Sequence, residues 1–174
     1  DADARVFAAL LARIKEVNAR HNTVVMVQVE NEIGMLPVAR EYGAEANRLF
    51  AEPVPAELMR HLSATREHQS GLHKLWAEQG GKSEGTWTEV FGEGDAAAEV
   101  FTPWHYSRFV EAVTVAGKAA YPLPMYVNAA LNRMGKAPGE YPSGGPLPHL
   151  LDVWKAGGPS LNHVAYEVPN FEAL

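Results

Sequence analysis

From Asp3 to about Arg20, Val6, Phe7, Leu10, Leu11, Ile14 and Val17 recur at three- and four-residue steps, which predicts a helix with one apolar face. Asp1 or Asp3 suits its cap, and His21-Asn22 ends it. The pattern then changes. Val24-Val25-Met26-Val27-Gln28-Val29 is apolar and largely β-branched, which predicts a strand over 23–30 buried on both faces of a parallel sheet. Val24, Met26, Gln28, Glu30 and Glu32 share the two-residue spacing of one strand face, so that face turns polar toward its carboxyl end.

Between Gly34 and about Ala120 no strand pattern is convincing. Ala44 to Phe50 reads as a short helix. Pro55 to Thr65 reads as another, with Pro55 in the first turn and Leu58, Met59 and Leu62 on one side. A third, holding Leu72, Leu75 and Trp76, stops at Gly80-Gly81. Thr86 to Phe91 is ambiguous. After the Gly92-Glu93-Gly94-Asp95 turn, Ala96 to Lys118 predicts a long helix with Phe101, Tyr106, Phe109, Val110 and Val113 toward a core. A section of this length between two strands implies elaborated loops over the sheet's carboxyl edge, shaping a cleft, and then a return helix.

Pro122 to Asn128 is short, apolar and β-rich, and predicts the next strand with Asn128 at its carboxyl end. Glycine and proline then dominate Asn132 to Pro148, a long loop. Leu150 to Ala156 reads as a short helix closed by Gly157-Gly158-Pro159, and Ser160 to Val168 as a third strand. The chain is therefore expected to be α/β, with 23–30, 123–128 and 160–167 as adjacent parallel strands in that order. It contains no internal repeat.

Carboxyl ends of parallel strands are where such sheets place their chemistry. Gln28, Glu30, Asn31 and Glu32 gather acids and amides at the mouth of an apolar strand, where a poorly solvated charge needs partners. On residue pattern alone, Glu32 fits a functional acid and a strand-end carboxylate paired with Arg or Lys equally well.

The run Gln28-Val29-Glu30-Asn31-Glu32-Ile33-Gly34 resembles the Gln-Val-Glu-Asn-Glu-aromatic-Gly signature of the glycoside hydrolase family 35 β-galactosidases, which usually carry Tyr where this chain has Ile33. Tyr-Pro-Leu-Pro-Met-Tyr-Val-Asn-Ala at 121–129 and Gly-Glu-Tyr-Pro-Ser-Gly-Gly-Pro at 139–146 resemble a bacterial branch of these proteins. The resemblance implies a segment of a (β/α)8 TIM barrel, about its third helix to its sixth strand, with a long helical insertion after the fourth strand. All of 1–174 would be a partial catalytic domain. The implied reaction is retaining hydrolysis of terminal β-D-galactosides. Glu32 would be the general acid/base and Asn31 its substrate-contacting neighbour, with Asn128 and Trp104 as further candidate substrate contacts.

A retaining glycosidase needs a second carboxylate about 5–5.5 Å from the acid/base. Glu30, two residues back, would lie about 6.5 Å deeper and is read as a buried structural acid. In the resembled clan the nucleophile ends the seventh strand, which this chain is not expected to reach. Glu167 is a weak candidate in its place, and Glu140 reads as a solvated or rim residue. The segment by itself is thus expected to be inactive, and to be unstable, self-associate or need a complementary fragment. The alternative reading is a non-catalytic carbohydrate-binding or interaction module derived from the barrel.

Composition narrows this further. At 174 residues the chain is one domain by length but short for a barrel of about 250, and it begins at Asp1 as if cut from something longer. With 47% hydrophobic and 21% charged residues it has a soluble globular composition. A net charge of −6 argues against nucleic-acid and anionic-membrane partners. There is no cysteine, no apolar run of transmembrane length and no signal segment in the chain as given. Its histidines show no metal-ligand spacing, His68 and His73 being five apart, so neither metal nor other cofactor is expected. Trp76 and Trp154 read as core, while Trp87 and Trp104 remain open as sugar-stacking residues.

Overall fold

The computed structural model describes residues 2–68, 70–132 and 135–166. The first helix, α1 (Ala2–Asn18), turns Leu11 fully inward and half-buries Phe7 and Ile14. Val6, Leu10 and Val17 of the same predicted face are exposed. Asn18 then makes the turn. It is buried, its amide exchanges hydrogen bonds with Val24 (Val24 N–H to Oδ1, 2.9 Å; Nδ2 to Val24 O, 2.8 Å), and Nδ2 also donates to the Tyr121 hydroxyl at 2.9 Å. Asn22 closes the helix end in the left-handed region at φ 50°, which asparagine tolerates.

The expected strand at 23–30 is reduced to β1 (Val27–Gln28). Its ladder bonds are Val27 N–H to Pro124 O and Val29 N–H to Tyr126 O. Val24 spends both its backbone N–H and its C=O on Asn18 instead, and no strand among the described residues pairs on the far side of β1. Burial on both faces is therefore not met: Val25 is 69% exposed, and Met26 is exposed too.

Five helices follow: α2 (Ala44–Phe50), α3 (Ala56–Ala64), α4 (Gly71–Glu78), α5 (Trp87–Phe91) and α6 (Asp95–Ala120), with a 3-10 turn at Arg66–His68. The ambiguous stretch resolves as α5 through a capping box, in which Thr86 Oγ1 accepts from the Glu89 N–H and the Glu89 carboxylate accepts from the Thr86 N–H. These helices carry a core of their own, with Leu58, Leu62, Trp76, Trp87, Phe91, Phe101 and Trp104 packed together. The long α6 packs on α1, α5 and α7 (Leu151–Gly157) and returns the chain to the sheet. Close approach is built in at two glycines. A Cβ on Gly117 would lie 2.5 Å from the Phe7 ring, and one on Gly157 would lie 1.8 Å from Ser107 Oγ.

β2 (Met125–Ala129) pairs parallel with β1 on one side and with β3 (His163–Tyr166) on the other, giving the expected order β1-β2-β3. The fold is thus mixed α/β around a three-stranded parallel sheet. Met125, Val127 and Ala129 are fully buried, Val127 clustering with Val110 of α6 and Trp154 of α7. By the strand period Tyr126 and Asn128 point to the opposite face, as does Gln28, the register partner of Tyr126. Glu111 holds the approach to β3 by accepting from the Ser160 N–H and hydroxyl, and Asn162 already donates its N–H to Met125 O of β2 at 2.8 Å, although the strand itself starts at His163. Among the described residues no helix is long and apolar enough to cross a membrane.

Candidate functional site

Gln28, Asn31, Glu32 and Asn128 meet at the carboxyl ends of β1 and β2. Gln28 Nε2 donates to Asn31 Oδ1 (3.0 Å) and to Asn128 Oδ1 (3.1 Å), and Asn128 Nδ2 donates to Asn31 Oδ1 (3.2 Å). The same Asn128 Oδ1 accepts the backbone N–H of Glu32 at 2.9 Å. Asn128 is buried, whereas Asn31 and Glu32 are exposed.

Glu32 is not the next residue of an extended strand. It adopts φ 51°, a left-handed conformation uncommon for a residue with a side chain, so the two-residue alternation read from the sequence stops before it. The chain turns at 31–32 because the Asn31 amide and the Glu32 N–H are both engaged by Asn128.

Past the turn, the segment 33–40 is stitched to the Gly/Pro loop and to α6. Met35 and Ser143 exchange backbone hydrogen bonds of 2.7 and 3.0 Å. Gly34 lies against Pro142, whose Cβ would be 2.5 Å from any Cβ added there, and the Thr102 hydroxyl of α6 donates to Ala39 O at 2.8 Å. Much of the loop predicted at 132–148 is consequently buried, Ser143 and Leu147 fully so.

Among the described residues no hydrogen bond engages the Glu32 carboxylate, the Asn31 Nδ2 or the Gln28 Oε1. The cluster therefore leaves an amide donor, Asn31 Nδ2, and an amide acceptor, Gln28 Oε1, at the strand ends with the Glu32 backbone bonded to the same Asn128, and such amide groups can hydrogen-bond the hydroxyls of a polyol. Glu30, half-buried, has its carboxyl raised, first by burial and then by the negative charge of Asp3. No family model matches the chain, and no curated protein matches it.

Of the other sequence candidates, Trp104 lies elsewhere. It is 5% exposed on α6, in the helical core with Trp87, Phe101 and Val153, so the expectation of a sugar-facing Trp104 is corrected: that side of α6 is covered by α5 and α7. Trp87 is buried in the same core. Glu140 is exposed, paired with Lys136 at 3.0 Å and accepting from the Ala137 N–H, and these contacts hold its carboxyl below the usual range. Glu167 lies outside the described residues.

Two polar clusters, one around the buried Asp152 and one around the buried Tyr141, were not legible in the sequence. Asp152 of α7, 5% exposed, faces His61 (3.5 Å), His73 (3.7 Å) and His68 (4.0 Å) from α3, α4 and the turn between them. Burial pushes the Asp152 carboxyl up, but Ser70 and His61 beside it and the positive fields of His73 and Lys155 outweigh that and hold it below its ordinary value. His73 is itself committed, contacting Ser70 Oγ at 2.7 Å and Leu62 O at 3.2 Å. In the second cluster Glu99 takes the Tyr141 hydroxyl and lies 3.1 Å from His149, and burial first, then Glu99, raises the Tyr141 pKa. Among the described residues no group of acids and histidines is arranged to hold a metal ion. A cleft of about 500 Å³ opens between α7 and β3, lined by Trp154, Leu161 and Val164, and it shares no residue with the amide cluster.

Proposed function

We propose that this chain is part of a (β/α)8-barrel glycoside hydrolase acting on terminal β-D-galactosides with retention, and that Glu32 is its general acid/base. The observation that carries the reading is that the Glu32 backbone N–H is bonded into the Gln28–Asn31–Asn128 amide cluster at the carboxyl end of a parallel sheet, its carboxylate unengaged among the described residues. Carboxyl ends of parallel strands are the usual seat of chemistry in such folds, and a carboxylate among amides suits a sugar. The sequence resemblance over 28–34 supplies the family.

In the proposed reaction Glu32 gives its proton to the glycosidic oxygen as the C1–O bond breaks and a second carboxylate bonds C1 from the opposite side. Glu32 then takes a proton from water as that water displaces the enzyme carboxylate from C1. Asn31 and Asn128 would hold sugar hydroxyls or the turn beside them. The second carboxylate is assigned to a part of the complete enzyme outside this chain, so the 174-residue chain alone should not turn over.

The test is Glu32→Gln in the complete enzyme. Turnover of lactose-like substrates should fall by about 10²–10⁴, the scale of general acid/base catalysis, and activated aryl galactosides should lose less in the first step. Equal turnover on the disaccharide would overturn the assignment.

A further inference from the structure

A cavity of about 200 Å³ lies between α4, the start of α6 and the 3-10 turn Pro148–Leu150. Its walls are aliphatic, with Leu72 and Leu75 of α4, Val100 of α6 and Leu150 of the turn. The polar side chains that line it are Glu99 and His149.

The Glu99 carboxylate is fixed in place. Tyr141, 5% exposed, donates its hydroxyl to Glu99 Oε1, and His149 Nε2 lies 3.1 Å from the same oxygen. Burial and then the Glu99 carboxylate push the Tyr141 pKa up, so the phenol stays the donor and Glu99 the acceptor. Asp95 adds to the negative field there. Among the described residues Glu99 Oε2 has no hydrogen-bond partner, and no lysine or arginine pairs with the carboxylate. The Glu99 side chain is only 17% exposed, so an acid is set in an aliphatic cavity with one oxygen unspent. A poorly solvated carboxylate in such a place favours a cation that carries N–H donors.

We propose that this cavity is a binding site for a short primary alkylammonium, whose N–H groups bond Glu99 and whose aliphatic body lies among Leu72, Leu75, Val100 and Leu150. The cavity shares no residue with the Gln28–Asn31–Asn128 cluster, so the inference stands apart from the glycosidase reading. An anion is repelled by Glu99. A quaternary ammonium is disfavoured as well, since it has no N–H to donate and is held by aromatic faces, of which this cavity has none.

The test titrates the complete protein with n-butylammonium by isothermal calorimetry, with tetramethylammonium and butyrate as separate titrants. n-Butylammonium should bind saturably with a Kd of about 1 mM, the scale open to so small a ligand, and the other two should not. Glu99→Gln keeps the shape and removes the charge, and should weaken binding about tenfold or more. Leu75→Trp should block binding by filling the cavity with Glu99 unchanged, which tests the site even if Glu99→Gln loosens the Tyr141 contact. Glu78→Gln, at an exposed acid of α4 outside the cavity, should bind as the parent does. Absence of n-butylammonium binding, equal binding of tetramethylammonium or butyrate, or parent-like binding by the Glu99→Gln or Leu75→Trp protein would each overturn the site.

Discussion

The Glu32 backbone N–H donates to Asn128 Oδ1 at 2.9 Å, joining positions 96 residues apart in sequence. This bond, with the amides of Gln28 and Asn31 on the same side chain, sets the left-handed turn that carries the Glu32 carboxylate out of line with the strand. A buried amide with that many partners costs more to remove than a single hydrogen bond suggests. Asn128→Ala should destabilise the chain by about 1–3 kcal/mol, read by urea unfolding. A midpoint unchanged from the parent would mean the turn holds itself.

Gly34 tests the stitching of the same region. Any Cβ there would meet Pro142 at 2.5 Å and its backbone carbonyl carbon at 2.7 Å, and the Pro142 backbone is pinned next to the Met35–Ser143 pair. Gly34→Ala should therefore cost about 1–3 kcal/mol, the usual scale of forced overpacking. Thermal unfolding of the variant at the parent's temperature would show that the loop yields freely.

Glu30 should be held at some expense to stability. Its carboxyl is raised by burial and by Asp3, so the protonated form is the one the fold favours. That contribution is fully present below the unfolded value near 4.5 and is lost as pH rises through the folded value. Glu30→Gln should consequently melt above the parent at pH 7, with the difference vanishing in acid. A variant less stable at neutral pH would show that the ionised carboxylate has a partner the fold needs.

Asp152 should behave in the opposite way. Its carboxyl is held below the ordinary value of 3.8, so the stability it confers is present above that value and disappears as pH falls through the lower folded one. Asp152→Asn should lose about 1–3 kcal/mol at pH 7, because the buried His73 and the partly covered His61 are left facing an amide. Melting curves from pH 7 down to pH 3 should show the gap closing. A gap independent of pH would mean shape, not charge, matters at this position.

Local pattern by itself determined most of the elements. The three- and four-residue steps of Phe7, Leu11 and Ile14 set α1, Gly80-Gly81 stopped α4, and the apolar run at Val127 set β2, since each depends on neighbours within a turn or two. The Thr86 to Glu89 capping box was present in the sequence too, and it settles a stretch that hydrophobic pattern leaves ambiguous. Parallel strand order followed from alternating strands and helices. Strand extents and side-chain partners did not follow. Whether Val24 joined the ladder depended on Asn18, whether Trp104 reached a surface depended on α5 and α7, and the Asp152 histidines came from elements that periodicity treats separately. The direction of Glu32 was decided the same way, by one amide from a strand 96 residues on, because a left-handed turn in a non-glycine residue is fixed by what it bonds to and not by its own preference.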